Sequence, residues 1–334
     1  MSPGQIPTLE ELEAAYDCTR RVTVETPLLE SEGLAARAGA ARVFVKPESL
    51  QRTGSFKFRG AYWRVQSLTP EQKARGVVAY SSGNFAQGLA AAARMAEVPA
   101  TIVMPVDAPA AKRRGAEAFG ARIVVSDHGD RPREEVASAL AQDLADRDGL
   151  TLLHPFDDPA IVAGQAGASL EALEQLQRIG EAAPDVVLCC VGGGGLIGGV
   201  ALAFHYKAPN TQVVAVEPEG YDSLGESLRR GEITRVADGG ATICDALQAT
   251  APGAAPFAAA QRAGVRGVSV DDMSVRQTMC EAFEELKLAL EPSGAIALAA
   301  VIKHRSDFAG KTILVYATGG NVALADFIRY VEAA

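Results

Sequence analysis

The feature that most constrains the fold is a run of four glycines placed directly after a buried strand pattern. Residues 186–191 read VVLCCV, Gly192 to Gly195 follow, and a helical pattern begins near Leu196. In such a loop, backbone N–H groups of residues without side chains turn inward, and the N-terminus of the following helix adds positive potential. The loop therefore predicts a binding site for an anion such as a phosphate group.

The same segment also matches the dinucleotide-binding pattern G-x-G-x-x-G through Gly193, Gly195 and Gly198. Glu217 ends the next strand pattern, at the place where an acidic residue would meet the ribose of a nicotinamide cofactor. Taken alone, this segment favours an NAD-dependent dehydrogenase, which stays open as an alternative.

Short apolar strand patterns alternate with alanine-rich helical patterns along the 334 residues, which is typical of α/β folds with parallel sheets. Because no linker divides the chain, we expect two interleaved domains with open, mostly parallel sheets: a small one over 73–153, and a large one over 1–72 and 154–334. The predicted strands are Val43–Lys46, Gly76–Ser81, Ala100–Met104, Arg122–Val125, Val186–Val191, Gln212–Glu217 and Thr312–Ala317. The predicted helices include Asn84–Ala96, Arg133–Asp148, Ile161–Gly180 and Ser274–Leu290, and a turn at Asp107–Pro109 leads into a further helix.

The charge balance excludes two classes of partner. A formal net charge of −9 argues against nucleic-acid binding and against a polybasic membrane anchor. The uncharged stretch Val186–Phe204 is long enough for a membrane span, but its central glycines favour a strand, a loop and a helix. The N-terminus has no signal-peptide pattern. The five cysteines (Cys18, Cys189, Cys190, Cys244 and Cys280) are scattered, so we expect buried thiols in a cytoplasmic protein.

Three further polar loops narrow the choice of ligand. SFKFRG places Lys57 at the start of a helical pattern, while SSGNFAQG (Ser81–Gly88) and ATGGN (Ala317–Asn321) each follow a strand pattern. Open α/β sheets bind ligands at the carboxyl ends of their strands. A dinucleotide does not account for a lysine together with these loops, whereas a covalently held phosphorylated cofactor does.

In this combination the motifs resemble the fold-type II pyridoxal-phosphate enzymes, with the tryptophan synthase β-like fold, and in particular the threonine/serine dehydratases and serine racemases. The likeness covers nearly the whole chain, and the order of the motifs is more specific than any one of them. The matching motifs are TPLLES (26–31), KPESLQRTGSFKFRGA (46–61), SSGNFAQG (81–88), LLHPFDDPAIVAGQ (152–165), GGGGL (192–196), AVEP (215–218), LEPSGA (290–295) and TGGN (318–321).

The resemblance implies a role for each loop. Lys57 would form a Schiff base with pyridoxal 5′-phosphate and remove the substrate α-proton, and Ser82 would act on the opposite face of the α-carbon. Asn84 would bind the 3′-oxygen of the cofactor ring and Thr318 its nitrogen. The phosphate would be held by Gly192, Gly193, Gly194, Gly195 and the N–H of Leu196, and the substrate carboxylate by Ser81, Ser82, Gly83 and Asn84.

The activity implied is that of an ammonia-lyase (dehydratase). It would convert a β-hydroxy amino acid such as L-threonine or L-serine to a 2-oxo acid and ammonia, in a homodimeric enzyme. An amino-acid racemase of the same family and a non-catalytic amino-acid sensor stay open as alternatives.

Two departures bear on the substrate. The family loop commonly reads SSGNH, but Phe85 replaces the histidine and provides a more apolar wall. This leaves serine or threonine possible and adds a β-aryl substrate such as phenylserine as an alternative. Arg133 would instead serve the second carboxylate of 3-hydroxyaspartate.

A divalent cation is a further open question. The family's cation site would use Glu217, the carbonyl of Tyr221 and a carboxylate at position 223, but residue 223 is Ser, so only Asp222 is available as a substitute. These oxygen ligands would suit Mg²⁺ or Ca²⁺.

Overall fold

The computed structural model describes residues 5–108, 110–131, 133–237 and 239–334. Pro109, in the predicted turn, lies outside these ranges. Within them the chain forms two sheets, and the strands are β1 Leu29–Glu30, β2 Arg42–Pro47, β3 Val77–Tyr80, β4 Ala100–Pro105, β5 Arg122–Ser126, β6 Thr151–Leu152, β7 Val186–Cys190, β8 Gln212–Pro218, β9 Arg266–Val270 and β10 Thr312–Ala317.

The helices cover the faces of these sheets. They are α1 Leu9–Thr19, α2 Glu32–Ala38, α3 Lys57–Gln66, α4 Pro70–Arg75, α5 Asn84–Met95, α6 Ala110–Ala118, α7 Arg133–Asp148, α8 Pro159–Arg178, α9 Gly195–Lys207, α10 Ser223–Arg230, α11 Ala254–Arg262, α12 Asp272–Glu281, α13 Pro292–Lys303 and α14 Leu324–Glu332. Short 3₁₀ turns lie at Glu48–Leu50, Arg52–Gly54, Asp245–Leu247 and Arg305–Asp307.

The sheet topology confirms the predicted architecture. One sheet has the order β1-β2-β10-β7-β8-β9 and is parallel except for β1, while the other has the order β5-β4-β3-β6 and is parallel throughout. The second sheet uses only strands between Val77 and Leu152, and the first uses strands from both sides of that range. The two sheets are therefore interleaved in sequence, and the exact domain boundaries stay a prediction.

All seven predicted strands are confirmed to within one residue at each end. The charge-free stretch Val186–Phe204 forms β7, the glycine loop and most of α9, and no helix in the described ranges is long and apolar enough to cross a bilayer. Strands β1, β6 and β9 were not predicted, because β1 and β6 have two residues each and β9 (RGVSV) contains only two apolar side chains larger than glycine.

The predicted helix Ser274–Leu290 is wrong at its C-terminal end. Helix α12 stops at Glu281, a π-helical turn follows over Ala282–Leu286, and Lys287 takes a left-handed conformation with φ of 59°. The chain then continues without regular secondary structure, with Leu288 and Leu290 buried, to Pro292 at the start of α13. A residue that precedes proline disfavours helical geometry, which explains why Glu291 is extended.

The helices beside the Lys57 segment pack almost backbone to backbone. A Cβ atom added to Gly164 of α8 would lie 2.7 Å from the Cα atom of Gly60 in α3. Only glycine permits this approach, and it fixes α3, the helix that begins at Lys57, against the long buried helix α8.

Candidate active site

One pocket between the two sheets collects the loops singled out in the sequence. It encloses about 200 Å³ and is lined by thirteen of the predicted residues: Lys57, Ser81, Ser82, Gly83, Asn84, Phe85, Arg133, Gly192, Gly193, Gly194, Gly195, Leu196 and Thr318. The three predicted cation ligands, Glu217, Tyr221 and Asp222, do not line it.

Lys57 enters this pocket without an acidic partner. Its Nζ atom donates one hydrogen bond, of 3.2 Å, to the carbonyl oxygen of Pro155, and no carboxylate in the described part of the chain forms an ion pair with it. Burial lowers the pKa of Lys57 to about 8. Roughly a tenth of the amine is therefore neutral near pH 7, and a neutral amine is the form that attacks an aldehyde.

The backbone around Lys57 is held from two sides. Ser55 forms a β-bridge with Gly319, and the N–H of Phe56 donates to the carbonyl oxygen of Thr318 over 3.1 Å. On the other side, a Cβ atom added to Gly88 of α5 would lie 3.1 Å from the carbonyl carbon of Lys57. The predicted loops SFKFRG, SSGNFAQG and ATGGN thus contact one another directly.

A buried ion-pair network, which the sequence analysis missed, lies beneath this segment. Arg59, fully buried, donates to Glu48 over 2.7 Å and to Glu171 over 2.8 Å, and Lys46 donates to Glu171 over 2.7 Å. Lys46, Glu48 and Arg59 all belong to the motif that carries Lys57, and their charged residue types gave no sign of burial. Such a buried network is expensive to break because each charge depends on its partners for compensation.

The glycine loop is a ready anion site. In the described structure the six consecutive backbone N–H groups from Gly192 to Ile197 have no hydrogen-bond acceptor. Gly194 has a φ of 96°, which lets the chain turn into the N-terminus of α9. Unpaired buried N–H groups are costly, and a phosphate would satisfy them, so the loop fits the cofactor that the sequence predicts.

Asn84 lies in a chain of amides and a carboxylate. Its Nδ2 atom donates to Oε1 of Glu291 over 2.5 Å, and its Oδ1 atom accepts from Asn321 over 2.8 Å. One N–H of the Asn84 amide is left for a ligand. Glu291, 3% exposed, is a site residue that the sequence analysis missed although it lies in the quoted motif LEPSGA; burial raises its pKa to about 7.

Thr318 is paired with a cysteine on the floor of the pocket. Its Oγ1 atom lies 3.2 Å from Sγ of Cys190, which also lines the pocket. The expectation that Cys190 is a buried thiol is confirmed, but its contact with a predicted cofactor ligand could not be inferred from residue spacing.

The remaining predicted residues differ in how they face the pocket. Ser81 Oγ accepts from the N–H of Gly83 over 3.2 Å, while Ser82 Oγ has no partner in the described structure. Arg133 is 3.8 Å from Asp107 and about two-fifths exposed. Phe85 is 2% exposed and packs in the core of the smaller sheet, with Phe58 and Leu89.

The carboxylates predicted as cation ligands contact other groups of the protein. Both carboxylate oxygens of Glu217 accept backbone N–H groups, from Leu224 over 2.7 Å and from Gly225 over 2.9 Å. Asp222 faces Arg229, at 3.6 Å. The described residues contain no cluster of acidic, histidine or cysteine side chains arranged to hold a metal ion, so the structure gives the predicted cation no support.

The pocket combines a lysine of lowered pKa with a glycine loop whose backbone N–H groups can bind an anion, in an α/β fold with two interleaved sheets. These features define the class of enzyme that binds a phosphorylated aldehyde. The family model described as "Pyridoxal-phosphate dependent enzyme" matches residues 20–319, and the chain belongs to this family. The family match overturns the dehydrogenase alternative, and the acidic residue on which that alternative relied, Glu217, lies outside the pocket.

Comparison with characterised proteins agrees with the resemblance seen in the sequence. The chain is 38% identical to an L-threo-3-hydroxyaspartate ammonia-lyase from a Pseudomonas species, over 92% of this chain and 93% of that protein. It is 36% identical to the L-threonine ammonia-lyase of Thermotoga maritima, over 94% of this chain and 76% of that protein. Among solved structures, maize serine racemase superposes with a TM-score of 0.89 at 32% identity, covering 98% of both chains.

Proposed function

We propose that this protein is an ammonia-lyase that removes the β-hydroxyl group and the amino group of a β-hydroxy amino acid such as L-threonine or L-serine. The proposal rests on one pocket that brings together Lys57, the Ser81–Asn84 loop and the N–H groups of Gly192–Ile197, which have no acceptor in the described part of the chain. When bound, pyridoxal phosphate supplies an aldehyde for Lys57 and an electron-accepting ring.

The residues of the pocket then have separate roles in binding the substrate and in moving its proton. The N-terminus of α5 and the Ser81–Asn84 loop bind the substrate carboxylate, since helix N-termini favour anions. Lys57, whose pKa burial lowers to about 8, takes the proton from the α-carbon, and the net loss of this proton and the β-hydroxyl group is one molecule of water. Thr318 offers the cofactor a hydroxyl and not a carboxylate, which supports prompt loss of the β-hydroxyl over long-lived carbanion chemistry.

The test combines colour, labelling and product formation. Purified protein loaded with pyridoxal phosphate should be yellow, borohydride should fix the cofactor on Lys57, and threonine or serine should give a 2-oxo acid and ammonia. Lys57→Ala should lose all three properties, whereas the surface variant Lys207→Ala should keep them. A yellow protein that binds substrate but releases no ammonia would show an amino-acid sensor instead.

A second candidate substrate is 3-hydroxyaspartate, which Arg133 on the pocket wall favours because a guanidinium pairs well with a second carboxylate. If that is the substrate, Arg133→Gln should raise its KM about tenfold or more and leave the KM of threonine nearly unchanged. A parallel change for both substrates would rule out this role.

Racemisation would need an acid or base opposite Lys57, and Ser82, whose hydroxyl has no partner among the residues that the structure describes, is the candidate. Ser82→Ala should abolish racemisation and spare elimination from one enantiomer. Equal loss of both activities would place Ser82 in cofactor positioning.

The expected homodimer and cytoplasmic location belong to this proposal as well. Both are supported by the family resemblance, and the location is also supported by the free thiols of the five cysteines. Analytical ultracentrifugation of the cofactor-loaded protein would test the dimer, and a monomer at micromolar concentration would contradict it.

A further inference from the structure

Tyr80 and His154 form a hydrogen-bonded pair at the pocket that none of the roles above uses. Tyr80 ends β3, directly before the Ser81–Asn84 loop, and lines the pocket. Its Oη atom lies 2.9 Å from Nε2 of His154, and the two rings meet edge to face at 5.8 Å between centroids.

The backbone decides which atom of this pair is the donor. Nδ1 of His154 accepts the N–H of Asp157 over 2.9 Å and faces that of Phe156 at 3.4 Å, so it carries no proton. The ring must therefore carry its proton on Nε2, which donates to Tyr80. Burial lowers the pKa of His154, consistent with this neutral form.

The hydroxyl proton of Tyr80 consequently has no hydrogen-bond acceptor among the described residues. Oη already accepts from His154, and in the described part of the chain no carbonyl, carboxylate or hydroxyl accepts from it. Glu134 lines the same wall, but no hydrogen bond joins it to Tyr80. Burial raises the pKa of Tyr80 to about 12, so the phenol keeps its proton at neutral pH.

We propose that Tyr80, oriented by His154, is a substrate-positioning residue whose hydroxyl donates a hydrogen bond to the β-hydroxyl oxygen of the bound amino acid. The inference rests on the proposed ammonia-lyase activity. A substrate with its carboxylate at Ser81–Asn84 and its α-carbon at Lys57 turns its β-substituent toward the remaining wall, to which Tyr80 contributes. The pair also adjoins Lys57, because His154 precedes Pro155, whose carbonyl oxygen accepts from Lys57 Nζ.

This role involves no transfer of the tyrosine proton. The hydrogen bond holds the leaving oxygen and disfavours rotamers of the substrate in which that oxygen points elsewhere. It therefore matters for substrates whose leaving group is a hydroxyl, and not for those whose leaving group accepts hydrogen bonds poorly and departs unprotonated, such as chloride.

The test compares serine with β-chloroalanine, which give the same 2-oxo acid but differ in the leaving group. Tyr80→Phe in the cofactor-loaded enzyme should lower kcat/KM for serine about tenfold, equivalent to about 1.4 kcal/mol, and change the value for β-chloroalanine less than twofold. Tyr206→Phe, which removes a hydroxyl bonded to the Pro7 carbonyl far from the pocket, is the matched control and should change neither.

A second variant tests the part played by His154. In His154→Asn the side-chain oxygen can still accept the N–H of Asp157, but the donor to Tyr80 is lost, so serine should again be affected more than β-chloroalanine. Equal losses on both substrates with either variant would show a structural role and overturn the proposal. A loss confined to 3-hydroxyaspartate would overturn it too, because Tyr80 would then serve a distal carboxylate. Failure of the wild type to form any 2-oxo acid would instead contradict the proposed function.

Discussion

Lys112 Nζ lies 2.7 Å from Oδ2 of Asp245, and this ion pair joins helix α6 of the smaller sheet's layer to the turn Asp245–Leu247 of the larger one. Both residues line the pocket, and both act on the buried Glu291, whose pKa Lys112 lowers and Asp245 raises. The Lys112–Asp245 ion pair therefore links the contact between the two parts of the molecule to the protonation state of Glu291, which is hydrogen-bonded to Asn84.

We expect substitutions in this pair to move the titration of Glu291 in opposite directions. Lys112→Gln removes a positive charge and should raise the pKa of Glu291 above about 7, and Asp245→Asn should lower it. The pH dependence of the cofactor's visible absorption, followed in both variants, measures the shift. Movement in the same direction in both variants would show that Glu291 does not report on this pair.

Lys57 should take up cofactor with an unusual pH dependence. Because only the neutral amine attacks the aldehyde and its pKa is about 8, the rate of pyridoxal-phosphate uptake by cofactor-free protein should rise about tenfold from pH 7 to pH 9 and then level off. An ordinary lysine would give nearly a hundredfold rise over the same interval. Stopped-flow absorbance would distinguish the two, and a rate still climbing at pH 10 would contradict the lowered pKa.

Breaking the buried ion-pair network should destabilise the protein strongly. Arg59→Met leaves the carboxylates of Glu48 and Glu171 buried with one partner fewer, so we expect a loss of about 3–5 kcal/mol in the free energy of unfolding. The control is Arg178→Met, which breaks an exposed pair with Glu25 and should cost less than about 1 kcal/mol. Urea unfolding measures both, and similar small costs would mean that the network contributes little.

Glu217 should make the protein less stable as the pH rises. Burial raises the pKa of Glu217 to about 8, above its value in the unfolded chain near 4.5, so its contribution is complete below about pH 4.5 and is lost as the pH rises through about 8. The stability difference between wild type and Glu217→Gln should therefore shrink or reverse between pH 5 and pH 9. Thermal unfolding of both proteins across this pH range measures the difference.

Thermal unfolding with added Mg²⁺ or Ca²⁺ should show no saturable stabilisation of the wild type. A saturable increase in stability would restore the predicted cation site.

Phe85 should affect catalysis through packing. Phe85 lines the pocket, but with 2% of the residue exposed most of its ring packs in the core, and the apolar wall expected from the sequence stays a prediction. Phe85→His buries a polar ring and should cost about 2 kcal/mol of stability while lowering kcat/KM for threonine and phenylserine by a common factor. A decrease confined to phenylserine would support the wall.

The sequence was sufficient for the features that depend on local pattern and motif order. The strands ending at Tyr80, Cys190 and Ala317 follow from apolar runs bounded by turn residues, and the glycine loop follows from its lack of side chains. Because parallel strands present their carboxyl ends at one edge of a sheet, these motifs could be assigned to one site before any contact was known.

Only the tertiary structure decided the partners of each group. Nothing in the sequence indicated that Lys46, Glu48 and Arg59 are buried. Lys46 and Arg59 pair with Glu171, which is more than a hundred residues away along the chain. The contacts Asn84–Glu291, Cys190–Thr318 and Tyr80–His154 likewise join distant segments. Helix α12 ends at Glu281, and Leu288 and Leu290 are buried in the core beyond it. Hydrogen bonds, pKa shifts and burial depend on atoms that the fold brings within a few ångströms of one another. The spacing of residues along the chain does not indicate which atoms these are.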